Sequence, residues 1–174
     1  GLPLAAAVLL WPKPSAPDLW IADGGAVAAY SRGPEAVALR PGVGAFASEL
    51  WSRRRGLALA DRTADQWVCT RFSCFPRPSA QAPVALWWGR KAPDAAALDA
   101  LCRSAPVVSV RAAVASLPAG CEGRLVLDAV DFEKGAVELR RHDGGRWTAR
   151  WSGDVRGDRP WSRRSDPDFS DSGG

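Results

Sequence analysis

Four cysteines carry the most definite chemistry in this sequence. Cys69 and Cys74 stand five apart, and Cys102 and Cys121 nineteen apart. A structural zinc site draws on paired ligands about two to four residues apart, and the second pair fails that spacing. Two disulfides in an oxidising compartment fit better, with Cys69–Cys74 closing a small loop and Cys102–Cys121 tying a helix to the loop after it. The spacing does not fix the connectivity, because four cysteines allow three pairings, and four buried thiols in a cytosolic core remain the plain alternative.

Other reactive groups are sparse. His142 is the single histidine, so a His-rich metal site or a triad has nothing to build on. It sits beside Asp143 in a turn sequence, with no nucleophile in its neighbourhood, and reads as an exposed turn histidine. Ser73 lies between Phe72 and Cys74, and neither a GxSxG elbow nor a phosphate-cradling P-loop occurs. Asp23-Gly24-Gly25 combines one carboxylate with two glycines, which is the composition of a tight turn. The expectation is therefore no catalytic residue, no metal ligand and no cofactor. The enzymatic alternative is a metal-dependent nuclease working with carboxylates alone, around Asp23, Asp128 and Asp131.

Arginine is the abundant charged residue. Only 3 of the 23 basic residues are Lys, a skew typical of a GC-rich genome, so a given Arg need not have been selected for its guanidinium. The net charge of +4 allows an anionic partner without requiring one. Arg53, Arg54 and Arg55 form one cluster. Arg140, Arg141, Arg146 and Arg150 form another, across the final hairpin, and are the candidate DNA-contacting residues. Arg beside aromatic rings suits single-stranded nucleic acid. Here strand alternation turns Trp147 and Trp151 inward, away from those arginines, and a solvated charged face accounts for the pattern as well.

These residues need elements to hold them. The 174 residues, 47% apolar and 24% charged, are ordinary globular material, enough for one domain with a core. Leu19 to Ala22 and Val27 to Tyr30 flank Asp23-Gly24-Gly25 as a hairpin, with Val37 to Leu39 as a third strand. Ala45 to Arg55 reads as a helix with Phe46, Leu50 and Trp51 on one side, ended by Gly56. Gln66 to Thr70 and Val84 to Trp88 read as strands joined by a Pro-rich loop through Pro76, Pro78 and Pro83. Asp94 opens a second helix carrying Leu98, Leu101 and Cys102 on one side. Val107 to Val110 is a buried strand, Leu125 to Leu127 a short one, and Asp131 to Lys134 a turn. The last hairpin joins Ala136 to Arg141 and Arg146 to Trp151 through His142-Asp143-Gly144-Gly145. Val137, Leu139, Trp147 and Trp151 should face the core, and Glu138, Arg140, Arg146, Thr148 and Arg150 the other side. About eight strands and two or three helices make an α+β fold.

The ends read differently. Gly1 to Trp11 is uncharged and almost wholly apolar, followed by a Pro-rich stretch, and is expected to be the end of a transmembrane helix and its linker (residues 1–17). A buried first strand is the alternative. The lack of any Met reads as a processed or excised piece of a longer chain. The folded domain is expected over 18–161, and the polar segment 162–174 as a disordered tail.

The order of an apolar exit, a Pro-rich linker, DLWIADGGAVAAYS, CTRFSC, PVALWWGR, DALCRSAPVVSV and GAVELRRHDGGRWTAR closing on GDRPW resembles the C-terminal region of the ComEC family of competence proteins, in its alphaproteobacterial form. The resemblance covers Leu2 to Trp161. Members are polytopic inner-membrane proteins proposed to form the channel for single-stranded DNA in natural transformation. In many of them this region is metallo-β-lactamase-like and proposed to degrade the non-transported strand. The resemblance thus implies a reduced metallo-β-lactamase-like β-sandwich built of antiparallel hairpins. It also implies a periplasmic location at the bacterial inner membrane, and single-stranded DNA and other competence proteins as partners. That fold's metal signature needs several His and Asp residues on loops. With His142 alone, no ligand carries over, and the implied role is non-catalytic: bracing the channel or guiding DNA. A secreted, disulfide-stabilised structural domain is the reading without DNA.

Overall fold

The computed structural model describes residues 16–39, 42–60 and 66–157. The apolar start up to Ser15 and the polar tail from Ser162 lie outside these residues. Among the described residues no helix is long and apolar enough to cross a membrane.

The fold is α+β, with two sheets. The first is six-stranded, in the order β11-β10-β1-β2-β3-β4. It contains β1 (Leu19–Ile21), β2 (Ala28–Arg32), β3 (Glu35–Ala38), β4 (Ala58–Leu59), β10 (Val137–Arg141) and β11 (Trp147–Trp151). The second is five-stranded and runs in chain order: β5 (Trp67–Cys69), β6 (Ser73–Pro76), β7 (Val84–Trp87), β8 (Val107–Val110) and β9 (Leu125–Leu127). Their inner faces share one core. Leu19, Ile21, Tyr30, Val37, Val137 and Leu139 of the first sheet meet Trp67, Val84, Leu86, Val107 and Leu127 of the second. Alternation sends the intervening residues outward on both sheets.

Each outer face carries a helix. Helix α1 (Ala45–Arg54) covers Trp20, Ala29, Ala36 and Ala38 through Trp51, and helix α2 (Ala95–Ser104) covers Ala85, Val108 and Val110 through Leu98, Leu101 and Cys102. Asp94 caps α2, its Oδ1 accepting the Ala97 amide at 2.8 Å, which satisfies one of the free donors of the first turn. The α2 apolar spacing was legible because leucines at three- and four-residue intervals must share one side.

Helix α1 departs from expectation. Phe46 is 78% and Leu50 39% exposed, while Ser48, Trp51 and Ser52 are buried. The sheet face beneath is paved with alanines and leaves room for one large ring. Trp51 fills it, stacking on Trp20 with centroids 5.9 Å apart and planes 15° apart, and the small serines let the helix approach closely. The chain between Gln66 and Val84 also differs from a simple loop: Ser73–Pro76 is a strand, with Cys69 opposite Cys74 and Pro76 opposite Trp67. Proline is tolerated there because it ends the strand.

The expected antiparallel hairpins hold for β1–β2 and β10–β11, but β7, β8 and β9 run parallel. Helix α2 is the crossover between β7 and β8, and the wholly buried Val107–Val110 run suits a central parallel strand. The short β4, parallel to β3, and the single-turn helix α3 (Ser152–Arg156) had no sequence signal.

One hydrogen bond crosses the sandwich at the first hairpin. Ser109 Oγ, fully buried on β8, donates to the Gly25 carbonyl at 2.8 Å. On β2, opposite Leu19, burial raises the Tyr30 hydroxyl pKa, with Arg32 partly opposing, and the hydroxyl donates to Gln66 Oε1 at 2.5 Å.

Candidate nucleic-acid interface

The final hairpin presents its arginines through strand register. Arg140 lies opposite Thr148, and Glu138 opposite Arg150, so these four side chains share the outer face. Arg146 carries its carbonyl to the His142 amide at 2.8 Å and belongs to the same side at the loop end. His142 is exposed and its Nε2 lies 2.9 Å from Thr148 Oγ1. Arg141 separates from the others. It lies opposite Trp147 on the inward-facing side, at the sheet's end where its side chain is exposed, and its amide donates to Asp18 Oδ2 at 2.7 Å. The four arginines expected together are thus three on one face and one on the other.

The second cluster meets the first. Arg53 pairs with Glu49 at 2.6 Å on the exposed side of α1. Arg55 reaches Glu138, its Nε 2.8 Å from Oε1, and Trp51 Nε1 donates to the same oxygen at 3.0 Å. Glu138 therefore ties α1 to β10. Beside it, between α1, the β10–β11 hairpin and α3, opens a cavity of about 510 Å³ whose walls include Arg54, Arg150, Trp20 and Val155. Arg54 and Arg150 form no ion pair among the described residues. Asp23 and Glu138 also line this cavity, so its charge is mixed, with the unpaired excess positive.

The clasp yields an expected result. Glu138 is 18% and Arg55 32% exposed at the side chain, so Glu138→Ala strands a half-buried guanidinium and an indole donor. Removing a charged acceptor of this kind costs about 2 kcal/mol. Urea denaturation reads the loss, Glu138→Gln should recover part of it, and an unchanged midpoint for the alanine variant would show that the clasp is not formed.

The cysteines pair as Cys69–Cys74 and Cys102–Cys121, with Cα–Cα distances of 4.1 and 4.9 Å. The carboxylates of the nuclease alternative have backbone duties. Asp128 accepts the Val114 and Val130 amides at 2.8 and 2.9 Å, and Asp131 accepts the Asp128 amide at 3.2 Å. Asp23 stands apart, in the β1–β2 turn and on the wall of the α1 cavity. Among the described residues no three His, Cys, Asp or Glu side chains are grouped to hold a metal ion.

Sequence reasoning left one group of residues aside: Arg71 and Phe72 in the β5–β6 turn, Trp87 and Trp88 at the end of β7, and Arg111 after β8. The runs RF and WWGRK are visible in the sequence as basic residues next to aromatic ones, but their proximity depends on the antiparallel pairing of β6 with β7, which sets Ser73 opposite Trp87, while parallel β8 brings Arg111 to the same end. Compared with known proteins, the chain matches no protein-family model, no curated protein and no solved structure.

Proposed function

We propose that this chain is a non-catalytic, extracytoplasmic domain of an inner-membrane DNA-uptake protein of the ComEC type, bracing the channel or guiding the incoming single strand. The observation that carries the guiding role is the common outer face of Arg140, Arg146 and Arg150, with Arg54 across the adjoining cavity. Guanidinium groups held on one rigid sheet face are suited to tracking a phosphate backbone. Two disulfides support an oxidising compartment, and the two-sheet sandwich flanked by helices is in keeping with the reduced sandwich that the resemblance implies. Other competence proteins are the partners this role requires.

The test is fluorescence anisotropy with a labelled oligothymidylate at low salt, followed by a salt titration. Binding should weaken with salt, by about 0.7 in the log–log slope per phosphate contact. An Arg140→Ser/Arg146→Ser/Arg150→Ser variant should flatten that slope by about 2. No binding by the wild-type chain at low salt would remove the guiding role. The disulfides equally favour a second reading, a secreted structural domain without DNA, which that negative result would leave standing.

A further inference from the structure

We propose that the end of the five-stranded sheet where β7 and β8 finish is a stacking platform for single-stranded nucleic acid, formed by Phe72 and Trp87 with Arg71, Arg90, Lys91 and Arg111. This rests on the DNA-guiding reading and names a second place where the strand is held.

Two strand pairings build the platform, antiparallel β6–β7 and parallel β7–β8. Phe72 stands in the turn between β5 and β6, and its carbonyl accepts the Trp88 amide at 2.9 Å. The Arg111 amide donates to the Trp87 carbonyl, also at 2.9 Å, which joins the end of β8 to the end of β7. Three segments distant in sequence therefore converge on one edge.

The rings there are held and partly open. Phe72 is 43% exposed, and its ring lies 6.1 Å from that of Trp87, tilted by 42°. The Arg71 guanidinium stands 5.1 Å from the Phe72 ring centre. Trp87 is half-buried, and its Nε1 donates to the Lys91 carbonyl at 2.9 Å. Gly89 lies against that indole, where an added Cβ would come within 2.7 Å of Nε1. Trp88 Nε1 in turn donates to the Arg71 carbonyl at 3.0 Å. Indoles anchored this way keep the Phe72 ring in place without covering its exposed part.

The basic side chains around the rings lack ion-pair partners. Arg71, Arg90, Lys91 and Arg111 are exposed and form no ion pair among the described residues. Asp94 directs its carboxylate to the Ala97 amide and Asp128 to the Val114 and Val130 amides, and neither pairs with one of these cations. A part-exposed aromatic ring under one guanidinium, with further basic side chains on the neighbouring segments, matches a chain of phosphates whose bases are free to stack. A duplex keeps its bases stacked inside and offers the ring nothing. This combination is what the final hairpin lacks, because Trp147 and Trp151 face the core.

Phe72→Ala separates the two sites, since it removes a surface ring and no charge. With labelled oligothymidylate, this variant should bind roughly tenfold more weakly than wild type, with the salt slope unchanged. Arg71→Ser/Arg111→Ser should flatten the slope by about 1.4. The hairpin variant Arg140→Ser/Arg146→Ser/Arg150→Ser should retain its sensitivity to Phe72→Ala. A duplex of the same length should show no loss on Phe72→Ala. If wild type binds and Phe72→Ala leaves its affinity unchanged, the platform is overturned while the guiding role stands. If wild type does not bind at all, both fall together.

Discussion

Replacing Cys102 and Cys121 together by alanine is expected to cost about 3 kcal/mol, lowering the melting temperature by roughly 6–12 °C for a chain of this size. The bridge joins α2 to the short turn Ala119–Cys121. Both cysteines are buried, at 0% and 3% exposure, so the sulfurs contribute packing as well as a constraint on the unfolded chain. The turn has little else to hold it. The Gly120 amide donates to Asp99 Oδ1 at 3.0 Å, and Asp99 also pairs with Arg103 at 2.5 Å. Once the bridge is absent, that contact and the bond from the Leu125 amide to the Pro106 carbonyl at 3.0 Å must position the loop leading into β9. The Cys69–Cys74 bridge spans only five residues, so its removal should cost less, about 2 kcal/mol, on the loop-entropy argument. Thermal unfolding of the two double variants gives the comparison. Four titratable thiols in the unreduced native protein, or an unchanged melting temperature for Cys102→Ala/Cys121→Ala, would contradict it.

The second large effect is at Gly25. This residue has φ +70°, and a Cβ there would lie 2.5 Å from Phe132 Cε2 and 2.9 Å from Ser109 Oγ. The Phe132 ring cannot withdraw freely, because it packs edge-on against Trp151 at 5.9 Å. Ser109 is equally committed, as its hydroxyl bonds the Gly25 carbonyl across the sandwich. Gly25→Ala is thus expected to lose about 3–4 kcal/mol, from left-handed backbone strain together with overpacking. Gly24 is the control. Its φ is +80°, and nothing lies within 4 Å of an added Cβ, so Gly24→Ala should lose only the backbone part, about 1–2 kcal/mol. Equal urea midpoints for the two variants would show that the Gly25 contacts carry no energy.

These expectations differ in how far they were readable beforehand. The Asp23-Gly24-Gly25 turn was legible because two glycines between apolar runs specify a tight reversal locally. That Gly25 would press on Phe132, 107 positions later, was not, since no local pattern encodes which loop packs beneath which turn. The cysteine spacing was consistent with the observed bridges, yet only the placement of the Ala119–Cys121 turn under α2 chose among three pairings. Helix α1 gives the clearest divergence. Phe46, Leu50 and Trp51 were expected on the buried face, but the alanine-paved sheet accepted only Trp51 of the three, with Ser48 and Ser52 beside it.

For the candidate interface the division falls in the same place. Alternation along β10 and β11 depends on each residue's immediate neighbours, so the pattern of residue types was enough to turn Val137, Leu139 and Trp151 to the core and Arg140 and Arg150 outward. It likewise determined the α2 cap at Asp94 and the buried β8 run, which rest on hydrogen bonds and hydrophobic period within a few residues. Tertiary structure alone decided that Arg54 and Arg150 share one cavity, that Glu138 ties α1 to β10, and that Phe72, Trp87 and Arg111 meet at one sheet end. Each of these joins segments whose distance is set by strand order and by the crossover through α2. Strand order is a property of how two sheets bury their faces together, and the period of a single strand carries no record of it.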